Sequence, residues 1–566
     1  MTLEDRLDLW GRGWRGPLLA AVVALIAALP GLLALPPIDR DEARFAEASA
    51  QMLESGDFVT IHFQDTPRFK KPVGIYWLQA GAVEVLSQVE DRAIWAYRVP
   101  SLLGAMLAAA ACAWGAAAFL RPGLALLAGA VMGASFMLST EADIAATDAV
   151  LCGAITLAMA ALARLYLAAR SEERLDRPAD RPAAGRPTKV LFWLGLALSV
   201  LVKGPIGPMV IALTLIALCL WERRVRWLGK LGWGWGLILL AATLGPWALA
   251  ITVATDGAFW GAAVGGDLAP KLAGGQEGHG APPGYYALLS PLLLFPATLL
   301  LPAGLAAGWR LRAEPAVRFA LCWLIPSWLV FEATPTKLIH YTLPLYGALA
   351  WLMARALAQP VGPVARWTGA GLVAIAGLAL AAVGPVAVAK LGDGNGAPWA
   401  VVTAILFAAA GGAGAWFLLR DQTRRAVAVG GALGLAAHGV LLGALAPALR
   451  PVWLSDRTAR ALTQAGLSPR QGAPGPVTVA GYEEPSLVFL LGAATELAGA
   501  DDAAAAIVEG RSAIVEARQD AAFHGALARQ GTPVHQAGQV SGLDYSNNRH
   551  DILRIYRPLQ PGDAAP

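Results

Sequence analysis

Charge is scarce in this chain. Only 15% of its 566 residues are Asp, Glu, Lys or Arg, 56% are hydrophobic, and the mean hydropathy is +0.53. Such a balance excludes a soluble globular protein. Cysteine is scarcer still. The four present, Cys112, Cys152, Cys219 and Cys322, lie inside apolar runs at no metal-ligand spacing. They imply neither a disulfide framework nor a cysteine metal centre, and read as packing residues. No HxxxH, CxxC or Walker-type pattern occurs, and no Ser-His-Asp set stands out. Nucleotide-driven work therefore has no support in the sequence. The net charge of +4 serves membrane topology and implies no nucleic-acid partner.

What the chain has in abundance is apolar runs of roughly 20 residues, the length a bilayer core requires. They predict an α-helical polytopic membrane protein of about thirteen spans. The runs are 17–36, 99–120, 123–139, 147–168, 190–203, 205–221, 232–254, 285–306, 319–332, 342–358, 368–389, 398–418 and 426–449. The 20 tryptophans fit interfacial aromatic belts. The first run has a basic flank, Arg12 and Arg15, and continues into a charged cluster without a cleavage-site pattern, so it reads as a retained helix. Arg170 to Lys189, Arg223 to Lys230, Arg310 to Arg318 and Arg420 to Arg425 fall in loops on the N-terminal side of this topology. The positive-inside rule makes that side cytoplasmic. From Pro451 the composition turns polar, with short strands expected at 476–481, 512–516 and 551–556 and helices at 484–491 and 521–529. The expected organisation is a membrane domain over 1–450, whose first outer loop is 37–98, and a small extracytoplasmic α/β domain over 451–566. The alanine-rich run Asp501–Ala506 reads as a surface segment.

The unusual polar residues concentrate on the outer face. Asp41, Glu42 and Arg44 follow the first span; adjacent carboxylates on a helix point about 100° apart, so one can face a cavity while the other caps or pairs. Lys70-Lys71-Pro72 lies later in the same loop, and lysine suits phosphate as a compact point charge. Lys203 interrupts an apolar run beside Gly204 and Pro205, and a lysine so embedded needs an anionic partner. Thr336-Lys337-Leu-Ile-His340-Tyr341 adds a further lysine, a histidine and a phenol. Asp267, Lys271 and His279 share a glycine-rich outer loop. Together these residues imply a site for a charged group carried in the membrane, such as a lipid phosphate.

Several of these motifs, in order, resemble a known family: Asp41-Glu42-Ala-Arg44-Phe-Ala-Glu47, Ser55-Gly56-Asp57-Phe58, Lys71-Pro72 with Tyr76-Trp77, Lys203-Gly-Pro-Ile-Gly207, and Lys337-Leu-Ile-His340-Tyr-Thr-Leu-Pro-Leu-Tyr346. The chain is similar to the aminoarabinose-transferase-like bacterial glycosyltransferases of the GT-C class, related to protein O-mannosyltransferases. That resemblance implies a GT-C fold in the inner membrane and an active site facing the periplasm. It implies transfer of a sugar from a polyprenyl phosphate donor to a lipid acceptor such as lipid A. Asp41, Glu42 and Asp148 are its candidate catalytic residues. Arg44, Lys71, Lys203, Lys271, Lys337 and Tyr341 are the candidate donor-phosphate residues. His279 is the candidate ligand for a divalent metal, the one cofactor implied. At Lys70 the family commonly carries an acid that helps bind such a metal, and this chain departs from it. Two alternatives stay open: O-mannosylation of protein Ser or Thr, and a polyprenyl-linked sugar flippase. The flippase reading wants charges near mid-membrane and repeat symmetry, whereas the charges here cluster at one face.

Overall fold

The computed structural model describes residues 3–173, 185–270 and 280–560. It is a bundle of apolar helices carrying a small five-stranded sheet at one end. Among the described residues eight helices are long and apolar enough to cross a membrane, and ten if each bent pair is one span. One bent pair, Pro122–Gly133 with Phe136–Ala142, turns by 60°, and the other, Tyr285–Leu293 with Ala297–Arg310, by 117°. The remaining three predicted spans fall on Arg186–Lys203, Ile206–Glu222 and Tyr346–Ala356, so a count of thirteen is not established by length and apolarity. The first carries Arg186, Lys189 and Lys203, and the other two are short.

Small residues let the central helices approach closely. A Cβ on Gly104 would lie 2.6 Å from Val150, and one on Gly153 would lie 2.4 Å from the Gly104 carbonyl. Helices Ile94–Ala116 and Asp148–Glu173 thus touch backbone to backbone, the packing that substitutes for a hydrophobic drive in lipid. Their contact brings Arg98 and Asp148, each near the start of its helix, to the same end of the bundle.

The two ends differ in charge. At one, Arg121 and Arg424 meet Glu4, Arg318 lies 2.5 Å and Arg170 3.6 Å from Glu222, Arg355 lies 2.8 Å from Glu314 and Arg366 2.9 Å from Asp421. The arginine-bearing loops of the sequence therefore share one end. The far ends of the same helices carry Asp148, Lys203 and the turn after Ala333.

On that second end lies helix Asp41–Ser55. Its first turn holds Asp41 and Glu42, where negative charge favours the helix dipole, and Gly56 ends it in the left-handed region at φ 72°. Asp57 then shapes the following turn, accepting from the backbone N–H of Val59 (2.9 Å) and Thr60 (3.0 Å). Ala43, Ala46 and Ala50 are buried against Val83, Ala96, Tyr97 and Phe489. Phe489 comes from the C-terminal unit, whose strands run in the order Glu496–Ala498, Thr478–Ala480, Ala513–Glu516, Arg549–Pro558, Val534–Asp544. The first three are parallel and the last two antiparallel. The run Asp501–Ala506 is not the expected surface segment: helix Ala500–Val508 buries Ala503, Ala504 and Ala506 fully and turns Asp501, Asp502 and Val508 outward.

Candidate active site

Two groups of charged side chains lie at the end of the bundle opposite the arginine pairs. The first surrounds the start of helix Asp41–Ser55. Asp41 is exposed, its side chain 72% accessible, and its nearest cation is Arg68 at 3.7 Å. Arg68 is itself largely covered and stacks over Phe45, 5.2 Å from the ring centroid, so the carboxylate faces open space with a fixed cation behind it. Arg44 and Lys71 are half-buried nearby in sequence, one in the same helix and one just past Arg68.

Glu42 is placed quite differently. It is 1% exposed, and its oxygens are taken by the Arg98 guanidinium at 2.8 and 2.7 Å and by the N–H groups of Ile38 (2.8 Å) and Ala145 (2.7 Å). Arg98 is also fully buried and donates to the carbonyls of Leu35 (2.6 Å) and Pro36 (2.9 Å). The pair ties together the end of the first span, helix Asp41–Ser55, helix Ile94–Ala116 and the turn before Asp148. Both oxygens of Glu42, expected to be catalytic, are thus engaged in structural bonds here. Of the two neighbouring carboxylates, only Asp41 is open.

The second group gathers residues far apart in the chain. Lys203 at the end of its helix donates to Asp148 Oδ1 at 2.5 Å, and the Thr147 hydroxyl donates to Oδ2 at 3.0 Å. His340 bridges, with Nε2 3.5 Å from Asp148 and Nδ1 3.1 Å from Glu141. Lys203 Nζ also lies 5.7 Å above the Tyr341 ring. Burial alone would disfavour a charged imidazole at His340, but the Asp148 and Glu141 carboxylates outweigh it and raise its pKa. The cluster thus sets the Lys203 ammonium and the His340 imidazole between the carboxylates of Asp148 and Glu141. Lys337, buried, donates to the Thr334 carbonyl at 2.6 Å, one turn from His340. Glu332 anchors the neighbouring segment by accepting from the N–H of Gly284, Tyr286 and Ala287. Lys271 and His279 lie outside the described residues.

Sequence reasoning passed over Glu141, Arg68 and Arg98, and did not place His340 among the site residues. Glu141 had a signal: a carboxylate in the short outer turn that already holds Asp148. Arg98 had one too, as a cation directly before the apolar run 99–120. One ligand atom from each of Glu141, Asp148 and His340 lies within 4.8 Å of the others, so these three could hold a metal ion. Two carboxylates and an imidazole suit a divalent metal by type. Lys203 already donates to Asp148 Oδ1, so such an ion would share that carboxylate with the ammonium.

Comparisons with known proteins find similarity in sequence and in fold. A model of the dolichyl-phosphate-mannose-protein mannosyltransferase family matches residues 20–259. The chain is 30% identical over 376 residues to an undecaprenyl phosphate-alpha-4-amino-4-deoxy-L-arabinose arabinosyl transferase of Pseudomonas aeruginosa. It is 28% identical over 382 residues to the protein of that name from Pectobacterium atrosepticum. In both cases the match covers 64% of each chain, so this protein spans just under two thirds of the length of the relatives it matches. The crystal structure of ArnT from Cupriavidus metallidurans bound to undecaprenyl phosphate superposes with a TM-score of 0.76 at 19% identity, covering 95% of this chain and 97% of that one. The chain is thus similar in sequence, over 64% of its length, to undecaprenyl phosphate-aminoarabinose arabinosyl transferases, and it shares its fold with ArnT.

Proposed function

We propose that the protein is an integral-membrane glycosyltransferase that moves a sugar of the pentose or hexose class from a polyprenyl phosphate to a lipid acceptor such as lipid A. The observation that carries this reading is the gathering of Asp41, Arg68, Asp148, Lys203, His340 and Glu141 at one end of an otherwise apolar bundle. The names of the similar arabinosyl transferases support the donor class.

Transfer separates charge: breaking the anomeric C–O bond leaves negative charge on the departing phosphate and positive charge on the sugar. Lys203, with Lys71, Lys337, Arg44 and Lys271, is assigned to the phosphate, and fixed cations in a dry site act strongly on such charge. In this reading Asp148 keeps Lys203 charged and in place, and Tyr341 packs against its ammonium. Asp41 takes the proton of a hydroxyl acceptor, or steadies the oxocarbenium-like carbon when the acceptor is an already ionised phosphate. One open carboxylate suffices for a single displacement, hence inversion at the anomeric carbon. If a divalent metal is used, Glu141, Asp148 and His340 would hold it, and it would add positive charge for the leaving phosphate.

The active end is assigned to the periplasm and the arginine end to the cytoplasm of the inner membrane. Reporter fusions check this: fusions after Arg224 or Arg424 are expected to be cytoplasmic, and an alkaline phosphatase at the C-terminus active. An inactive C-terminal phosphatase with a fluorescent C-terminal fusion would reverse the orientation.

Protein O-mannosylation is the second reading, favoured by the family model over residues 20–259. Mass spectrometry of lipid A and of glycoproteins from cells with and without the gene separates the two. Loss of one sugar from lipid A alone is expected; loss confined to glycopeptides would replace the lipid acceptor with a protein.

A further inference from the structure

We propose that the C-terminal unit is a positioning element of the active site, strapping the turn that presents Asp41. This rests on Asp41 being the reacting carboxylate. The strap has three bonds, all reaching across more than 400 residues of chain. The Asp39 N–H donates to Tyr545 Oη at 2.6 Å, the Ser486 N–H donates to Asp39 Oδ1 at 3.0 Å, and Arg40 Nη2 donates to the Ser546 carbonyl at 2.6 Å. Ser546 is held in turn, its hydroxyl donating to Glu484 at 2.9 Å.

What the strap holds is strained. Arg40, the residue before Asp41, sits at φ 66°, ψ −111°, a region that L residues other than glycine rarely enter. Such a conformation persists only when its surroundings over-determine it, and here the surroundings are the C-terminal unit on one side and the buried Glu42 on the other. The strained residue sets the direction in which helix Asp41–Ser55 starts, and therefore where the Asp41 carboxylate points. Burying acids to build this contact is costly: burial pushes Asp39 up to about 6 and Glu484 to about 8. Fold stability alone gives no reason to keep them there, since Phe489 and its alanine neighbours already seat the unit on the membrane domain.

The test uses the full chain in nanodiscs. Hydrogen exchange of peptides spanning 36–46 and transfer kinetics are measured for wild type, Tyr545→Phe, Arg40→Ala, Arg40→Gly and Asp41→Asn. Tyr545→Phe removes the acceptor of the Asp39 amide and is expected to speed its exchange about tenfold while leaving the C-terminal strands unchanged. Arg40→Ala is expected to lower kcat about tenfold with KM within about twofold, because small misplacements of a reacting group act on turnover. Arg40→Gly loses the same guanidinium yet tolerates the backbone conformation, so it should keep within about threefold of wild-type kcat. Wild-type kcat in both the Ala and the Gly variant would mean that neither the tether to Ser546 nor the strained turn positions Asp41, and would overturn the proposal. So would faster exchange in Tyr545→Phe with unaltered kcat. A fully active Asp41→Asn would instead remove the mechanistic reading, whatever the exchange data show about the strap.

Discussion

Asp41→Asn is expected to lower sugar transfer by about 10²-fold or more while leaving expression and detergent stability at the wild-type level. The reasoning is geometric. Asp41 is an exposed carboxylate at the head of helix Asp41–Ser55, its side chain 72% accessible and Arg68 3.7 Å away. Asparagine keeps size and hydrogen-bonding capacity but carries no charge and takes up no proton. Because the residue is exposed, its loss costs the fold little. Turnover close to wild type in this variant would remove Asp41 from the chemistry.

Arg98→Met is expected to have the opposite profile. It strands the Glu42 carboxylate in a fully buried site, and removing one member of a buried pair typically costs about 3–5 kcal/mol. That is a large share of the stability of most proteins. The variant should give a poor yield of monodisperse protein and a lowered melting temperature in detergent. Glu42→Gln should be milder, since an amide oxygen can still accept from Ile38 or Ala145, and the folded fraction should keep near-normal transfer. A stable Glu42→Gln protein with turnover down a hundredfold would return Glu42 to the reaction. These two neighbours in sequence thus divide function from structure, and thermal stability with turnover per folded molecule tells them apart.

That division was not legible in the sequence. Adjacent acids at a helix start announce that the two point in different directions, but which one is buried depends on Arg98, more than fifty residues away. The membrane spans were legible because a bilayer imposes a length and a composition on each helix. Their number was less so, because Arg186–Lys203 carries charge and two spans are bent. In the C-terminal unit, the strands with continuous apolar runs were recognisable. Val534–Asp544 was not: its residues are mostly polar or half-buried, and its pairing with Arg549–Pro558 is what makes it a strand. Lys203 needed an anionic partner on energetic grounds alone, and the partner proved to be Asp148. The identity of that partner changes what Lys203 means. Its ammonium is held by a carboxylate, so in the proposed donor site any contribution of Lys203 to phosphate binding would depend on Asp148. Chain distance hid the association of Glu141 with His340, which no local pattern marks.

The central claim is that a polyprenyl phosphate binds at this outer cluster. It is tested most directly by the affinity of purified protein for undecaprenyl phosphate. Lys71→Met and Lys337→Met would each be compared with the double variant and with Lys203→Met combined with Asp148→Asn; a lone Lys203→Met would leave a buried carboxylate without its main partner. Each change is expected to weaken binding by about 1.5–3 kcal/mol, the scale of a hydrogen bond to a charged group. The double variant should lose a different amount from the sum of its parts, because groups that share one ligand couple. Unchanged affinity in every variant, or small and strictly additive losses, would mean that the lysines only anchor lipid headgroups and that the phosphate binds elsewhere.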